Sequence, residues 1–212
     1  LTFVALIIWL IMKWNEKADE PGHEKYLLII AYLIGLSTGV HLLSILTVFS
    51  IVLIVYFRKY KFTWKSFFIM GAIAVFIFFL VYPIIVKWVP AFLAGHSPSR
   101  DSLTREYALE NSMFLQIVAI ATILLAIFGF WKAIKSKKNI LALSTAAFLL
   151  VILGYTTYTQ ILLRANSNPP MNENEPKDFS KLASYLGREQ YGDAPFWPRR
   201  YQTDDYFIQN YV

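Results

Sequence analysis

The chain has 212 residues, of which 57% are hydrophobic and only 16% are charged, and its formal net charge is +6. So few charged side chains cannot cover a soluble surface, which predicts a membrane protein. The sequence has no cysteine, which excludes disulfides, thiolate metal ligands and cysteine nucleophiles. The positive charge does not require nucleic acid, and no nucleic-acid partner is predicted, because much of it lies in short loops beside apolar segments.

The first apolar stretch, residues 1–14, has the composition of the second half of a membrane span. We therefore expect the sequence to be an internal piece of a longer protein, in which no signal peptide can be read. The loop that follows contains Asp19, Glu20 and His23, whose spacing is loosely metal-like. A hydrated loop is the preferred interpretation, and no metal site is predicted.

Residues 26–57 contain no Asp, Glu, Lys or Arg. A continuous helix of this length would reach about 48 Å, whereas the hydrocarbon core of a bilayer is about 30 Å thick. Small and polar residues interrupt the run between Gly35 and His41, which favours two short helices, 26–37 and 40–57, that meet at a bend. The alternative is one tilted span, which would place 15–25 on the outer side.

His41 lies at this predicted bend and is the first candidate site residue. In the functional interpretation, it is a hydrogen-bond donor or cation that faces a polar cavity and binds a phosphate or a sugar hydroxyl. Alternatively, it is a packing histidine bonded to a neighbouring hydroxyl or carbonyl, as at Ser37 or Ser44. Ser37 and Thr38 are candidates for the lining of the same cavity.

Three further uncharged segments, 66–86, 112–131 and 139–163, are each long enough to span a membrane. Two basic loops flank them and mark the cytoplasmic side; they contain Arg58, Lys59, Lys61 and Lys65, and Lys132, Lys135, Lys137 and Lys138. This orientation predicts an outer loop at 87–111 and an outer tail at 164–212. We expect an all-α, polytopic membrane helix bundle over 1–163, with the start of an outer segment at 164–212.

The predicted outer loop, 87–111, offers several titratable side chains. An acidic residue there can act as a base toward an acceptor hydroxyl, although mixed charge in such a loop is typical of solvated surface. His96 has no second histidine or carboxylate at tight ligand spacing, so zinc is unsupported. The candidates are His96, Arg100, Asp101, Arg105, Glu106 and Glu110.

The tail begins with Arg164, whose guanidinium can bind a lipid phosphate in a forked geometry or simply extend to the membrane interface. The following turn contains polar residues that can line a sugar site or form a solvated loop; they are Asn168, Asn172, Glu173 and Asn174. Pro176 suits the first turn of a helix. An apolar stripe then follows at Phe179, Leu182, Ala183 and Leu186, and Gly187 or Gly192 is expected to end this helix.

Four stretches of the chain resemble a bacterial membrane family described as protein O-mannosyltransferase-like. They are 13–21 (KWNEKADEP), 31–43 (AYLIGLSTGVHLL), 164–174 and 184–193. The resemblance implies a C-type glycosyltransferase fold and transfer of a sugar from a polyprenyl phosphate carrier to a periplasmic protein acceptor. The family's label suggests mannose, and its bacterial origin implies that the bundle lies in the inner membrane and 164–212 in the periplasm. The lipid-linked sugar is the donor, and no further cofactor is predicted.

The same resemblance implies roles for particular residues. The Gly-Leu-x-x-Gly-x-His run is similar to a glycine-rich segment of related transferases that ends in lysine, which places His41 near the carrier phosphate, together with Arg164. The acidic catalytic residue of the family is expected upstream of this sequence, so no catalytic residue is assigned here. Without that residue, the chain by itself is expected to be inactive.

Two other functions are compatible with the residues alone. A broken, glycine-containing helix with a polar residue at the break is also typical of transporters, so a flippase for a lipid-linked substrate is one alternative. The other is a membrane anchor for an outer interaction domain, in which His41 serves packing. An acidic outer loop in the upstream sequence would favour the transferase, and a repeat of these spans would favour transport.

Overall fold

The computed structural model describes residues 1–95 and 112–186, and all regular secondary structure in these ranges is helical. The all-α prediction is confirmed. The α-helices are α1 (Thr2–Lys17), α2 (Glu24–Thr38), α3 (Thr47–Lys59), α4 (Trp64–Phe79), α5 (Val89–Leu93), α6 (Met113–Lys135), α7 (Asn139–Tyr155), α8 (Thr159–Asn166) and α9 (Phe179–Leu186). Two 3-10 turns, Leu42–Leu46 and Thr156–Tyr158, and one π-helical segment, Leu80–Trp88, connect neighbouring helices.

Three continuous helical stretches are long and apolar enough to cross a membrane. They are Trp64–Leu93, Met113–Lys135 and Asn139–Asn166. Most of their apolar surface is exposed, as expected for helices that face lipid or further protein. Their length and composition support the prediction of a membrane protein.

The first of these stretches continues past residue 86, where the sequence predicted the start of an outer loop. Pro83 lies inside the helix, and a proline removes one backbone hydrogen bond and displaces the carbonyl four residues earlier. The chain adopts the wider π-helical geometry over Leu80–Trp88 and then resumes an α-helix as α5. The backbone of Lys87 is therefore helical. The predicted loop residues from His96 to Glu110 lie outside the described ranges.

Helices α2 and α3 form a hairpin, so the chain turns back within 26–57. His23, which precedes α2, stacks on Trp14 of α1 with ring centroids 6.0 Å apart. Lys59, at the end of α3, lies 5.9 Å above the same Trp14 ring and donates a 2.6 Å hydrogen bond to the Ala18 carbonyl. The start of α2 and the end of α3 therefore lie beside the end of α1, and the turn that contains His41 lies at the opposite end of the hairpin.

The closest helix crossing joins α2 and α7 through two glycines. A Cβ atom on Gly154 would lie 2.6 Å from the Leu36 nitrogen, and one on Gly35 would lie 2.9 Å from the Val151 carbonyl carbon. Only residues without a side chain allow two backbones to approach this closely. Gly35 therefore lies inside α2 as a crossing residue, and the helix break begins at Gly39.

Helices α2 and α7 run in the same direction, because their contacts advance together along both. Gly35 meets Val151, whereas Gly39, four residues later, meets Thr157 and Tyr158. The α6–α7 turn, which precedes α7, consequently lies at the same end of the bundle as the start of α2. We call this the basic end, because both basic loops lie there, and the opposite end the His41 end.

The tail folds back on the bundle at the His41 end. Helix α9 packs against α5 and α8, and Leu182 of its predicted apolar stripe is 3% exposed. Pro176 is buried before the helix and is not part of its first turn, since α9 begins at Phe179. Asp178 caps the helix instead, because its Oδ1 accepts a 2.7 Å hydrogen bond from the Lys181 amide. Residues 187–212, with Gly187 and Gly192, lie outside the described ranges.

Candidate functional site

The turn between α2 and α3 presents His41 at the surface of the molecule. The amides of Val40 and His41 both donate to the Ser37 carbonyl, at 3.0 and 2.8 Å, which closes the end of α2. His41 then adopts an extended backbone (φ −159°, ψ 118°) and begins the 3-10 turn Leu42–Leu46. Gly39, Val40 and His41 are all exposed, so the imidazole is accessible from outside the helices.

The ring of His41 is oriented by a hydrogen bond to its own turn. Nδ1 accepts a 3.2 Å hydrogen bond from the Leu43 amide, in the manner of a helix N-cap. A nitrogen that accepts carries no hydrogen, so in the neutral ring Nε2 bears the N–H group. The turn therefore presents a hydrogen-bond donor at Nε2, which is a group that can bind a phosphate or sugar oxygen.

The neighbouring hydroxyls are directed into the protein. Ser37 and Thr38 are 0% and 2% exposed. Ser37 Oγ donates to the Ile34 carbonyl at 3.0 Å, and Thr38 Oγ1 donates to the Gly35 carbonyl at 2.6 Å. Both hydroxyls thus satisfy carbonyls of their own helix, and neither residue lines the pockets described below.

Two tyrosines of the α7 end hold this region together. Tyr158 donates from its hydroxyl to the Thr38 carbonyl, one of the helix-terminal carbonyls that have no partner within α2. Tyr155 donates to the Val86 carbonyl at 2.8 Å. These two hydroxyls bond across helices and join α2, α7 and the π-helical segment.

Replacing Tyr158 by phenylalanine should destabilise the turn that follows α2 without creating a cavity in the core. The Thr38 carbonyl would lose its partner, at a cost of about 1 kcal/mol in the free energy of unfolding. We expect the purified protein in mild detergent to aggregate a few degrees lower, as measured by size-exclusion chromatography after heating. Tyr60→Phe is the control, because Tyr60 is 60% exposed. Equal thermal behaviour of both variants would contradict this role of Tyr158.

A second feature of the His41 end is a pocket beside Arg164 on α8. The cavity has a volume of about 210 Å³ and lies between α8, the loop that follows it and α9. A more open depression of about 420 Å³ shares Arg164 and Pro169 with this cavity. Polar and apolar groups both line the cavity; they are Ile161, Arg164, Ala165, Pro169, Met171, Asn172, Glu173, Pro176 and Tyr185.

Asparagine side chains shape the loop that borders this pocket, and Asn172 also lines it. Asn172 Nδ2 donates to the Ala165 carbonyl at 3.1 Å, and Asn166 Nδ2 donates to the carbonyls of Leu162 and Lys177 at 2.8 and 3.0 Å. Asn168 has a positive φ of 47°, a conformation that asparagine tolerates better than most residues. Asn172 therefore lines the pocket while it shapes the loop, whereas Asn168 bends the chain beside it.

His41 and Arg164 lie at the same end of the bundle but in separate features. Gly39 contacts Tyr158, and Arg164 follows Tyr158 by six residues, a rise of roughly 9 Å along a helix. His41 is not among the residues that line either described pocket. The structure thus brings Arg164 and Asn172 together with Glu173, and places the His41 turn on the adjacent surface.

The residues around His41 match a known family. Residues 1–64 match the family model for the protein O-mannosyl-transferase TMEM260 N-terminal domain. The match covers α1, α2, the His41 turn and α3, and it supports the O-mannosyltransferase-like resemblance suggested by the motifs at 13–21 and 31–43. The chain matches no curated protein and no solved structure.

The matched segment contains His41 but not the Arg164 pocket. The motifs at 164–174 and 184–193 lie beyond it.

Two residues that matter for the His41 end of the protein were not identified from the sequence. Tyr185 reaches the pocket only through the packing of α9, and Gly154 was not distinguished within an apolar span, although a lone glycine there is typical of a close helix crossing.

Proposed function

We propose that this chain is part of a membrane glycosyltransferase that moves a sugar from a polyprenyl phosphate carrier to a hydroxyl of a protein. The observation that carries the proposal is the O-mannosyl-transferase match over 1–64, because the matched segment presents an exposed imidazole with a free donor nitrogen. Transfer takes place at the His41 end, on the periplasmic side of a bacterial inner membrane. The sugar is mannose if the family's label applies.

In the proposed reaction, a carboxylate that the resemblance places upstream of this sequence removes the proton of a serine or threonine hydroxyl. The oxygen attacks the anomeric carbon of the sugar, and the bond between that carbon and the carrier phosphate oxygen breaks. The bonding electrons leave with the lipid phosphate, where negative charge develops. Donors aimed at this charge lower the barrier, since they stabilise the transition state more than the ground state.

His41 and Arg164 are the hydrogen-bond donors that this chain supplies to the phosphate. Nε2 of His41 is left free by the hydrogen bond at Nδ1, so it can donate to a phosphate oxygen. Arg164 offers a planar fork of N–H groups that suits the geometry of a phosphate. The carrier phosphate therefore lies between the His41 turn and the mouth of the Arg164 pocket.

The Arg164 pocket holds the sugar in this proposal. Asn172, Glu173 and Tyr185 supply acceptors and donors that match sugar hydroxyls, while Ile161 and Met171 supply apolar surface. Such a mixture of groups suits a neutral sugar that is attached to an anionic phosphate. The lipid-linked sugar then binds to both the His41 turn and the Arg164 pocket, and the acceptor protein approaches from outside.

The proposal is tested by transfer of a labelled lipid-linked sugar in membranes that contain the full-length protein. Arg164→Ala should lower the transfer rate about tenfold, because a charged hydrogen bond to the phosphate is lost, and Arg164→Lys should retain part of the rate. Lys177→Ala is the matched control, since it removes one positive charge from the same tail. Lys177 does not line the pocket, and its Nζ lies 3.8 Å from Glu175 Oε1.

Two outcomes would oppose the proposal. Equal rates for Arg164→Ala and Lys177→Ala would remove Arg164 from the donor site. Movement of the labelled lipid between leaflets without any transfer to protein would favour the flippase alternative.

A further inference from the structure

The turn between α3 and α4, at the basic end, is held in one shape by hydrogen bonds across it. The buried Tyr56 hydroxyl lies 2.7 Å from Ser66 Oγ and accepts a 3.3 Å hydrogen bond from the Thr63 amide. Thr63 Oγ1 accepts from the Ser66 amide at 3.3 Å and so caps the start of α4. Side chains carried by residues 57–68 are consequently presented on a preformed surface.

Four aromatic side chains form a continuous exposed patch on this turn. We call Phe57, Phe62, Trp64 and Phe68 the aromatic patch. Phe62 stacks on Phe57 at 6.4 Å and lies 5.4 Å from Trp64, which in turn stacks on Phe68 at 6.2 Å. Each of the four is between 49% and 69% exposed. Trp64 also begins a helix that is long and apolar enough to cross a membrane, and aromatic side chains at such helix ends are typical of the headgroup region.

The charges beside the patch are unevenly compensated. Arg58 and Lys59 both pair with Asp19, whose Oδ1 lies 3.6 Å from Lys59 Nζ. Lys17 is engaged as well, since its hydrogen bond to Glu20, together with the charge of Glu20, raises the pKa of Lys17. By contrast, Lys61 and Lys65 are exposed, and neither forms an ion pair within residues 1–95 and 112–186.

We infer that this turn binds an anionic phospholipid. Lys61 and Lys65 flank Phe62 and Trp64 along the chain, so two uncompensated ammonium groups lie at the border of an apolar surface. A phospholipid has the complementary chemistry, because its phosphate matches the lysines and its acyl chains match the aromatic patch. The site lies at the end opposite His41 and does not depend on the glycosyltransferase proposal.

Binding can be measured by native mass spectrometry of the full chain in mild detergent, titrated with phosphatidylglycerol or phosphatidylcholine. We expect the unsubstituted chain to retain phosphatidylglycerol preferentially. K61Q/K65Q should weaken that binding by on the order of tenfold, since each lysine near an anionic headgroup contributes to affinity. K61R/K65R should bind as the unsubstituted chain does, because both charges remain.

The matched control is K137Q/K138Q, which removes the same charge from the α6–α7 turn at the basic end and should change binding by less than about twofold. Equal weakening by both glutamine pairs, or no weakening by K61Q/K65Q, would overturn the site. Displacement of the lipid by inorganic phosphate would also overturn it, since the ligand would then be a free anion.

A salt titration of the unsubstituted chain tests the same site without any substitution. About 1 M salt shortens the screening length to about 3 Å and should reduce phosphatidylglycerol retention. Retention that is insensitive to salt would contradict a site based on Lys61 and Lys65.

Discussion

Alanine at Gly154 is expected to force α2 and α7 apart and to destabilise the His41 end. The added Cβ would lie 2.6 Å from the Leu36 nitrogen and 3.0 Å from the Gly35 carbonyl carbon. Both are backbone atoms, so no side chain can rotate away, and the overlap should cost about 1–3 kcal/mol or more. We expect a much lower yield of monodisperse protein in mild detergent and earlier aggregation on heating.

Gly71→Ala is the matched control for this prediction. Gly71 also lies within a helix that is long and apolar enough to cross a membrane, but a Cβ there would meet no atom within 4 Å. Alanine at this position should be neutral or slightly stabilising, because it reduces the backbone freedom that glycine loses on folding. If Gly154→Ala proved as resistant to heat as Gly71→Ala, the close crossing of α2 and α7 would be disproved.

Replacing His41 should have the largest effect on the proposed transfer reaction. His41→Ala removes both the Nδ1 acceptor of the Leu43 amide and the Nε2 donor, and we expect the transfer rate to fall by on the order of 10²-fold. His41→Asn separates these two functions. An asparagine oxygen can still accept from the Leu43 amide as an N-cap, but its shorter side chain does not reach the Nε2 position. Labelled-sugar transfer by the full-length protein measures both variants.

The two interpretations of His41 predict different results for His41→Asn. If the imidazole donates to the carrier phosphate, the asparagine variant should be as slow as the alanine variant while it remains normally folded. If the histidine serves only to pack and cap the turn, asparagine should restore a nearly normal rate. Size-exclusion profiles of each variant show whether a loss of activity reflects a loss of fold.

The predictions for Gly154 and His41 concern two neighbouring parts of the structure, the helix crossing and the turn that it positions. The crossing at Gly35 and Gly154 positions the end of α2, and Tyr158 then holds the Thr38 carbonyl just before the turn. A variant at Gly154 should therefore change both stability and transfer, whereas His41→Asn should change transfer alone. This difference distinguishes a scaffold residue from one that contacts the substrate.

Sequence patterns were most informative where composition alone controls structure. Long uncharged runs predicted an all-α membrane protein, because a lipid-exposed backbone must satisfy its hydrogen bonds within a helix. The prediction of a loop from Lys87 was less accurate. A charge and a nearby proline usually mark the end of a span, but here the π-helical segment absorbs Pro83 and the helix continues to Leu93.

The candidate site was only partly accessible from the sequence. His41, Arg164 and Asn172 were selected for their chemistry, and the last two share a pocket with Tyr185, which pattern analysis did not select. Ser37 and Thr38 were expected to line a cavity, yet their hydroxyls are bonded to carbonyls of α2. Whether a hydroxyl in an apolar helix points to a cavity or bonds its own backbone depends on neighbouring helices, and local sequence does not contain that information.

The helical class, the lengths of the apolar segments and the positions of the charged loops follow from local sequence, because each depends only on residues that are neighbours along the chain. The pairs of residues that meet although they are distant along the chain are visible only in the folded structure: Gly35 with Gly154, Asp19 with Arg58, and Arg164 with Tyr185. Such pairings depend on how closely two backbones approach and on which helix faces turn toward each other. Those quantities are set by packing of the whole bundle rather than by any single segment.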